Sequence, residues 1–185
     1  MFLNKFWFLI FMVKKIKALF SKESVLSEDK EAIELYNKSR FGEPVGKKIQ
    51  YSLVEALYLL EKKRILIRDL RKKRIDVSGF IRRAKRVEPN FWVRYCVFKD
   101  MRDRGYIVKT ALKFGADFRV YPRGKKPGEE HAKWLLFPVH ERSGLTWYTF
   151  SAMNRVAHST RKNLLIGIVD DESSVTYYEV SWLKP

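Results

Sequence analysis

Glu88-Pro-Asn-Phe-Trp-Val-Arg-Tyr-Cys-Val-Phe-Lys-Asp-Met-Arg-Asp-Arg-Gly105 is the stretch on which the architecture turns. Pro89 suits a first helical turn, where its missing N–H and fixed φ carry no penalty. The run Phe91–Asp103 predicts a helix, and Gly105 predicts its stop. Beyond it the pattern shortens to strands, expected at Tyr106–Leu112, Asp117–Tyr121, Ala132–Val139, Thr146–Phe150, Asn163–Val169 and Val175–Trp182. One helical patch is expected at Ser151–His158, and Asp170–Ser173 falls between the last two strands as a hairpin loop. Before it, helices are expected. Glu28–Lys38 carries Ala32, Ile33, Leu35 and Tyr36 at helical spacing and should stop near Gly42 and Pro44. Ser52-Leu-Val-Glu55 is a capping-box pattern opening a helix with Ala56, Leu57, Leu59 and Leu60. The expected class is α/β (α+β): a small N-terminal α/β domain, residues 1–90, then a C-terminal domain, residues 91–185, with a mixed, mostly antiparallel sheet.

The 185 residues include 46% hydrophobic and 32% charged side chains, enough to bury a core, so wholesale disorder is excluded. The 38 Lys and Arg outnumber the 21 Asp and Glu, for a net charge of +17. Such a balance points to a polyanionic partner, nucleic acid ahead of an anionic membrane. The single cysteine, Cys96, excludes an internal disulfide framework and a cysteine zinc cluster, and it fits a reducing, cytoplasmic compartment.

Two segments stand apart from this pattern. Phe6–Val13 is an unbroken apolar run flanked by Lys5 and by Lys14, Lys15 and Lys17. It falls short of the roughly 20 apolar residues that span a bilayer, and no small residues follow as a cleavage site, so it reads as a buried strand or interface segment. The second is basic. Lys62-Lys-Arg64, Arg68, Arg71-Lys-Lys-Arg74, Arg82-Arg83 and Lys85-Arg86 face only Asp69 and Asp76, which suits either a solvated helix face with a linker or a phosphate-facing patch.

The chemistry is narrowed by elimination. Metal nucleases commonly set an Asp and then Glu-x-Lys on adjacent strands to hold magnesium. Here Asp117 is followed by His131-Ala-Lys133, so histidine stands where the second carboxylate is needed. Histidines 131, 140 and 158 lack paired helical spacing for zinc, and no P-loop, dinucleotide fingerprint or Gly-x-Ser-x-Gly elbow occurs. No metal or cofactor is therefore expected. RNA supplies its own nucleophile, the 2'-hydroxyl, and its cleavage needs a base, an acid and a cation for the phosphorane. Tyr121, His131 and Lys162 could supply them, with the basic loop Arg123-Gly-Lys-Lys-Pro-Gly128 able to approach a phosphate closely.

Asp117-Phe-Arg-Val-Tyr-Pro-Arg-Gly124, His131-Ala-Lys-Trp-Leu135 and Arg155-Val-Ala-His-Ser-Thr-Arg-Lys162 resemble, in order and spacing, the archaeal tRNA splicing endonucleases. Upstream, Glu31-Ala-Ile-Glu-Leu-Tyr36, Phe41-Gly42 and Ser52–Glu61 resemble that family's amino-terminal domain. The resemblance covers most of residues 28–185 and implies a metal-independent endonuclease that excises introns from precursor tRNA at bulge-helix-bulge sites. Its products would carry 2',3'-cyclic phosphate and 5'-hydroxyl ends. By motif position Tyr121 would be general base, His131 general acid and Lys162 electrostatic stabiliser; a tyrosine base needs cationic neighbours, or else another group accepts the proton. Arg155 resembles an arginine that in the family stacks on a bulge base, Trp182 is a weaker candidate for a similar platform, and Arg123 is a further RNA-contact candidate. Asp170, Asp171 and Glu172 resemble an acidic loop that inserts into a basic groove of another subunit. The implied assembly is a homotetramer, or two catalytic plus two structural subunits. Two other readings stay open: a non-catalytic basic RNA-binding subunit, and a membrane-associated protein relying on Phe6–Val13.

Overall fold

The computed structural model describes residues 14–183, so the apolar run Phe6–Val13 lies outside the described residues. The chain divides into two compact units between Val87 and Glu88. Each is built on a five-stranded sheet with a single parallel strand pair.

The first unit runs β1 (Ile16–Ser21), β2 (Ser24–Ser27), α1 (Lys30–Ser39), β3 (Glu43–Val45), β4 (Lys48–Tyr51), α2 (Leu53–Glu61), β5 (Ile65–Arg68) and α3 (Val77–Val87). The sheet order is β3-β4-β2-β1-β5, with β1 and β5 parallel. Ser52 and Glu55 close the expected capping box: the serine Oγ accepts from the Glu55 N–H, and Glu55 Oε2 accepts from the Ser52 N–H. Glu55 has a second use, because its Oε1 accepts from the Gly42 N–H at 2.9 Å. Gly42 itself stands at φ +74, where a Cβ would lie 2.4 Å from the Ile49 side chain. Leu53, Val54, Ala56, Leu57 and Leu59 are all buried, so α2 is apolar over most of its circumference.

The second unit runs α4 (Phe91–Asp103), β6 (Ile107–Thr110), a 3-10 turn (Leu112–Phe114), β7 (Phe118–Tyr121), β8 (Trp134–His140), α5 (Trp147–Ser159), β9 (Asn163–Val169) and β10 (Val175–Val180). Its sheet order is β10-β9-β8-β7-β6, antiparallel except for the β8–β9 pair. Pro89, expected at the first helical position, lies instead in the turn ahead of α4, whose N-cap is Asn90 and whose first helical residue is Phe91. A second expectation fails as well. Thr146–Phe150 is not a strand but the start of α5: Thr146 Oγ1 accepts from the Thr149 N–H, and this cap overrides the β preference of Thr, Trp, Tyr and Phe.

Helices cover both faces of this sheet, which explains why β8 and β9 are continuous apolar runs. Leu135, Phe137, Leu164 and Ile166 cluster with Ala157 of α5 on one face. On the other, α4 comes so near that a Cβ at Gly167 would lie 3.1 Å from the Val97 methyls. Between α4 and β10, the Tyr177 hydroxyl donates to Asp100 Oδ2 at 2.9 Å, while Asp100 also holds Arg104. Burial, reinforced by that hydrogen bond, pushes the Tyr177 hydroxyl well above the ordinary tyrosine range. The unfolded chain therefore ionises Tyr177 first, and its contribution to stability is lost as pH rises past about 10. Tyr177→Phe is expected to lower stability by about 1 kcal/mol in neutral urea melts. That deficit should shrink above pH of about 10, whereas a constant deficit would show that Tyr177 only packs.

Candidate active site

Two backbone hydrogen bonds set the geometry. The Lys133 N–H donates to the Val120 carbonyl at 3.0 Å, and the Asn163 N–H donates to the Lys133 carbonyl at 2.9 Å. The end of β7, the approach to β8 and the start of β9 thus lie side by side, and this sheet end carries Tyr121, His131 and Lys162. Tyr121 is buried, His131 is exposed and Lys162 is half-buried. The route into Lys162 is tightly fixed. At the end of α5 the Lys162 N–H reaches the Ala157 carbonyl and the Arg161 N–H reaches the His158 carbonyl, a Schellman turn. Arg161 takes the left-handed position, φ 55, usually given to glycine. The Lys162 ammonium then donates to the Thr160 carbonyl at 2.7 Å and lies 5.7 Å from the centre of the Phe114 ring.

The loop between Tyr121 and His131 reverses through Gly124, φ 80, and Gly128, φ 92. Lys125 pairs with Glu130 across it. Arg123 lies with its guanidinium 5.0 Å from the centre of the Tyr106 ring, an intramolecular cation-π contact.

Asp117, at the head of β7, has a structural use. Arg94 of α4 approaches it with Nε at 2.8 Å and also pairs with Glu88, so one guanidinium ties the start of the unit to the strand that ends in Tyr121. Burial pushes the Asp117 carboxyl above its ordinary range, with Arg94 opposing. Among the described residues, no group of three or more His, Cys, Asp or Glu side chains comes together as a metal-holding set.

A groove of about 480 Å³ runs along α5, lined by Ser151, Asn154, Arg155, His158, Ser159 and Trp182. It brings Arg155 and Trp182 to one groove and adds a residue that the sequence reading does not single out for RNA contact. His158 stacks edge-to-face on Trp182 with ring centres 4.1 Å apart. The spacing 151, 154, 155, 158 is one helical face, a signal present in the sequence once α5 is recognised as a single helix.

The acidic hairpin is elsewhere. Lys162 and Asp170 bracket β9, so roughly 25 Å of extended chain separates the loop from the tyrosine-histidine-lysine end. Its three carboxylates differ. Asp170 Oδ1 accepts from the N–H groups of Glu172 and Ser174 and shapes the turn. Asp171 pairs with Arg142 and lies 3.5 Å from His140 Nε2. Glu172 is exposed.

A basic α/β chain that carries a tyrosine, a histidine and a lysine on one sheet end fits a protein that acts on nucleic acid. Comparison with known proteins makes this specific. The family model "tRNA intron endonuclease, catalytic C-terminal domain" matches residues 91–177, and "tRNA intron endonuclease, N-terminal domain" matches residues 16–81. The chain belongs to the tRNA intron endonuclease family. It is 45% identical to the tRNA-splicing endonuclease of Thermococcus kodakarensis, over 89% of this chain and 96% of that one. It is 40% identical to that of Pyrococcus abyssi, over 94% and 99%. To that of Nanoarchaeum equitans it is 45% identical, over 72% and 88%. Among the described residues, no helix is long and apolar enough to cross a membrane.

Arg94→Met removes the cation from a largely buried carboxylate and is expected to lower stability by about 2 kcal/mol at neutral pH. The deficit should shrink as pH falls toward about 4, because protonated Asp117 leaves no charge to bury. Thermal melts across that range check it, and a pH-independent deficit would mean that Arg94 acts through packing alone.

Proposed function

We propose that this chain excises introns from precursor tRNA at bulge-helix-bulge sites without a metal ion, leaving 2',3'-cyclic phosphate and 5'-hydroxyl ends. Tyr121 takes the 2'-hydroxyl proton, His131 protonates the leaving 5'-oxygen, and Lys162 stabilises the charge that builds on the phosphorane oxygens. What carries the reading is the pair of backbone hydrogen bonds through Lys133, which align the strand ends bearing these three residues. A phenol with the ordinary value near 10 is a weak base at neutral pH, so the reading requires nearby cations to favour its ionised form. Arg155 and Trp182 offer flat faces in the α5 groove against which an unstacked bulge base would lie. Arg123 would leave Tyr106 to meet a phosphate, and the cytoplasm would be the working compartment.

The test is purified chain with a prefolded bulge-helix-bulge RNA in excess EDTA, reading end groups. Cleavage with cyclic-phosphate and 5'-hydroxyl ends is expected, and dependence of the chemical step on magnesium would refute it. His131→Ala should slow cleavage by roughly 10² to 10⁴ fold with RNA affinity nearly unchanged. Equal loss of both would make His131 structural, and wild-type binding without cleavage would favour a non-catalytic RNA-binding subunit.

For assembly we propose a four-unit complex, either a homotetramer or two catalytic plus two structural subunits, in which the acidic hairpin meets a basic surface of another subunit. Because Asp170 shapes the turn, the informative variant is Asp171→Asn with Glu172→Gln. It should weaken association and cleavage together while circular dichroism stays unchanged, and association should weaken further as salt screens the charges. Light scattering that gives one mass for both proteins at every salt concentration would reject the hairpin as an assembly contact.

A further inference from the structure

The basic stretch of the first unit plays no part in the catalytic reading, yet the fold organises it. Asp69 accepts from the backbone N–H groups of Arg71 and Lys73, both at 2.9 Å, and pairs with Arg83 of α3 at 3.4 Å. One carboxylate therefore ties a tight loop to a helix. Arg68 and Arg74 bridge at its base, and the side chains of Arg71, Lys72, Lys73 and Arg74 are exposed. Beside the loop is a cleft of about 330 Å³ lined by Phe20, Lys22, Asp69, Leu70, Arg71 and Arg83. Arg83 Nη1 is buried there with no hydrogen-bond partner among the described residues, and its guanidinium sits 6.0 Å from the centre of the Phe20 ring.

Two of these cations hold unusual backbone. Lys22, φ 44, and Lys72, φ 63, occupy left-handed positions that glycine or asparagine takes with less strain. Neither side chain is buried, so packing does not explain a lysine at either place.

We propose that this cleft and the Arg71–Arg74 loop beside it bind the phosphate backbone of RNA, giving the first unit a substrate-docking surface of its own. The inference rests on the RNA substrate proposed above but assigns it a second point of contact. A polymer fits better than a small anion, because exposed Arg82, Lys85 and Arg86 on α3 extend the positive surface beyond the cleft. RNA fits better than a lipid surface, because the apolar side of α3, Phe80 and Ala84, is already buried and Leu70 is the one large exposed apolar side chain in the loop.

The experiment measures binding of the full chain to a labelled double-helical RNA as a function of salt, for wild type, Lys22→Gly/Lys72→Gly and Arg71→Gln/Lys73→Gln. Each double variant should weaken binding by roughly tenfold and flatten the slope of log K against log salt by about 2, one unit for each lost phosphate contact. The glycine pair should melt no lower than wild type, since it relieves two left-handed lysines, so its weaker binding cannot come from unfolding. Wild-type affinity and slope in both variants would overturn the proposal. So would binding to anionic phospholipid vesicles that the variants lose while RNA binding stays intact. The two readings fail separately: a wild type that binds RNA but does not cut it defeats the cleavage mechanism alone, and variants that bind like wild type defeat the docking surface alone.

Discussion

The parallel pairing of β8 with β9 is the constraint from which the rest of the second unit follows. The ladder runs from Trp134 opposite Asn163 to His140 opposite Val169. A parallel pair cannot be joined by a hairpin, so α5 must carry the chain back across the sheet, and its last turn delivers Lys162 to the start of β9. Both faces of the two strands are buried: Leu135 and Leu164 against α5, with Leu136 and Leu165 on the opposite side. A one-residue slip would send each set to the wrong face, so register is held by core packing rather than by anything at the sheet end that carries Tyr121, His131 and Lys162. The position of Lys162 relative to His131 and Tyr121 is a by-product of burying leucines.

The same sheet sets two groups of side chains apart by its own length. One end gathers the tyrosine, the histidine and the lysine, while the other carries a hairpin whose carboxylates reverse the sign of a chain with net charge +17. Within that hairpin Asp170 is committed to the turn and Asp171 to Arg142, which leaves Glu172 as the carboxylate most open to a neighbour. In the first unit Asp69 does for a basic loop what Asp170 does for an acidic one: a buried or half-buried oxygen collects backbone N–H groups and leaves side chains of chosen sign facing outward.

Much of the fold is legible in the sequence, and the departures from it have physical causes. The helix Phe91–Asp103 and the strand Asn163–Val169 stand as their patterns predict, one punctuated by Gly105 and the other an apolar run between polar ends. The capping box at Ser52 was readable because the signal is local. Thr146–Phe150 misled because its residues favour strands one by one, whereas a single hydroxyl cap decides otherwise. In the first unit, strands of three to six residues are too short to display a period, and Ile65–Arg68 is hidden inside a run of cations. Chemistry and resemblance single out the tyrosine, the histidine and the lysine, and the fold places them on one end of the sheet. His158 was passed over, because its partner Trp182 lies far along the chain and only the folded unit brings the two rings together. Asp117 is already set aside as a metal ligand for want of a second carboxylate, but its pairing with Arg94 of α4 carries no sequence signal, since the two lie on separate elements.

The most direct measurement is the structure of this chain with a bulge-helix-bulge RNA made uncleavable by a 2'-deoxy sugar at the scissile nucleotide. The account predicts the scissile phosphate at the shared end of β7, β8 and β9. The His131 imidazole should lie within about 3 Å of the 5'-oxygen, Tyr121 should face the 2'-carbon, and the Lys162 ammonium should lie against a non-bridging oxygen. A scissile phosphate seated away from that strand end, or one reached by only one of the three side chains, would contradict it.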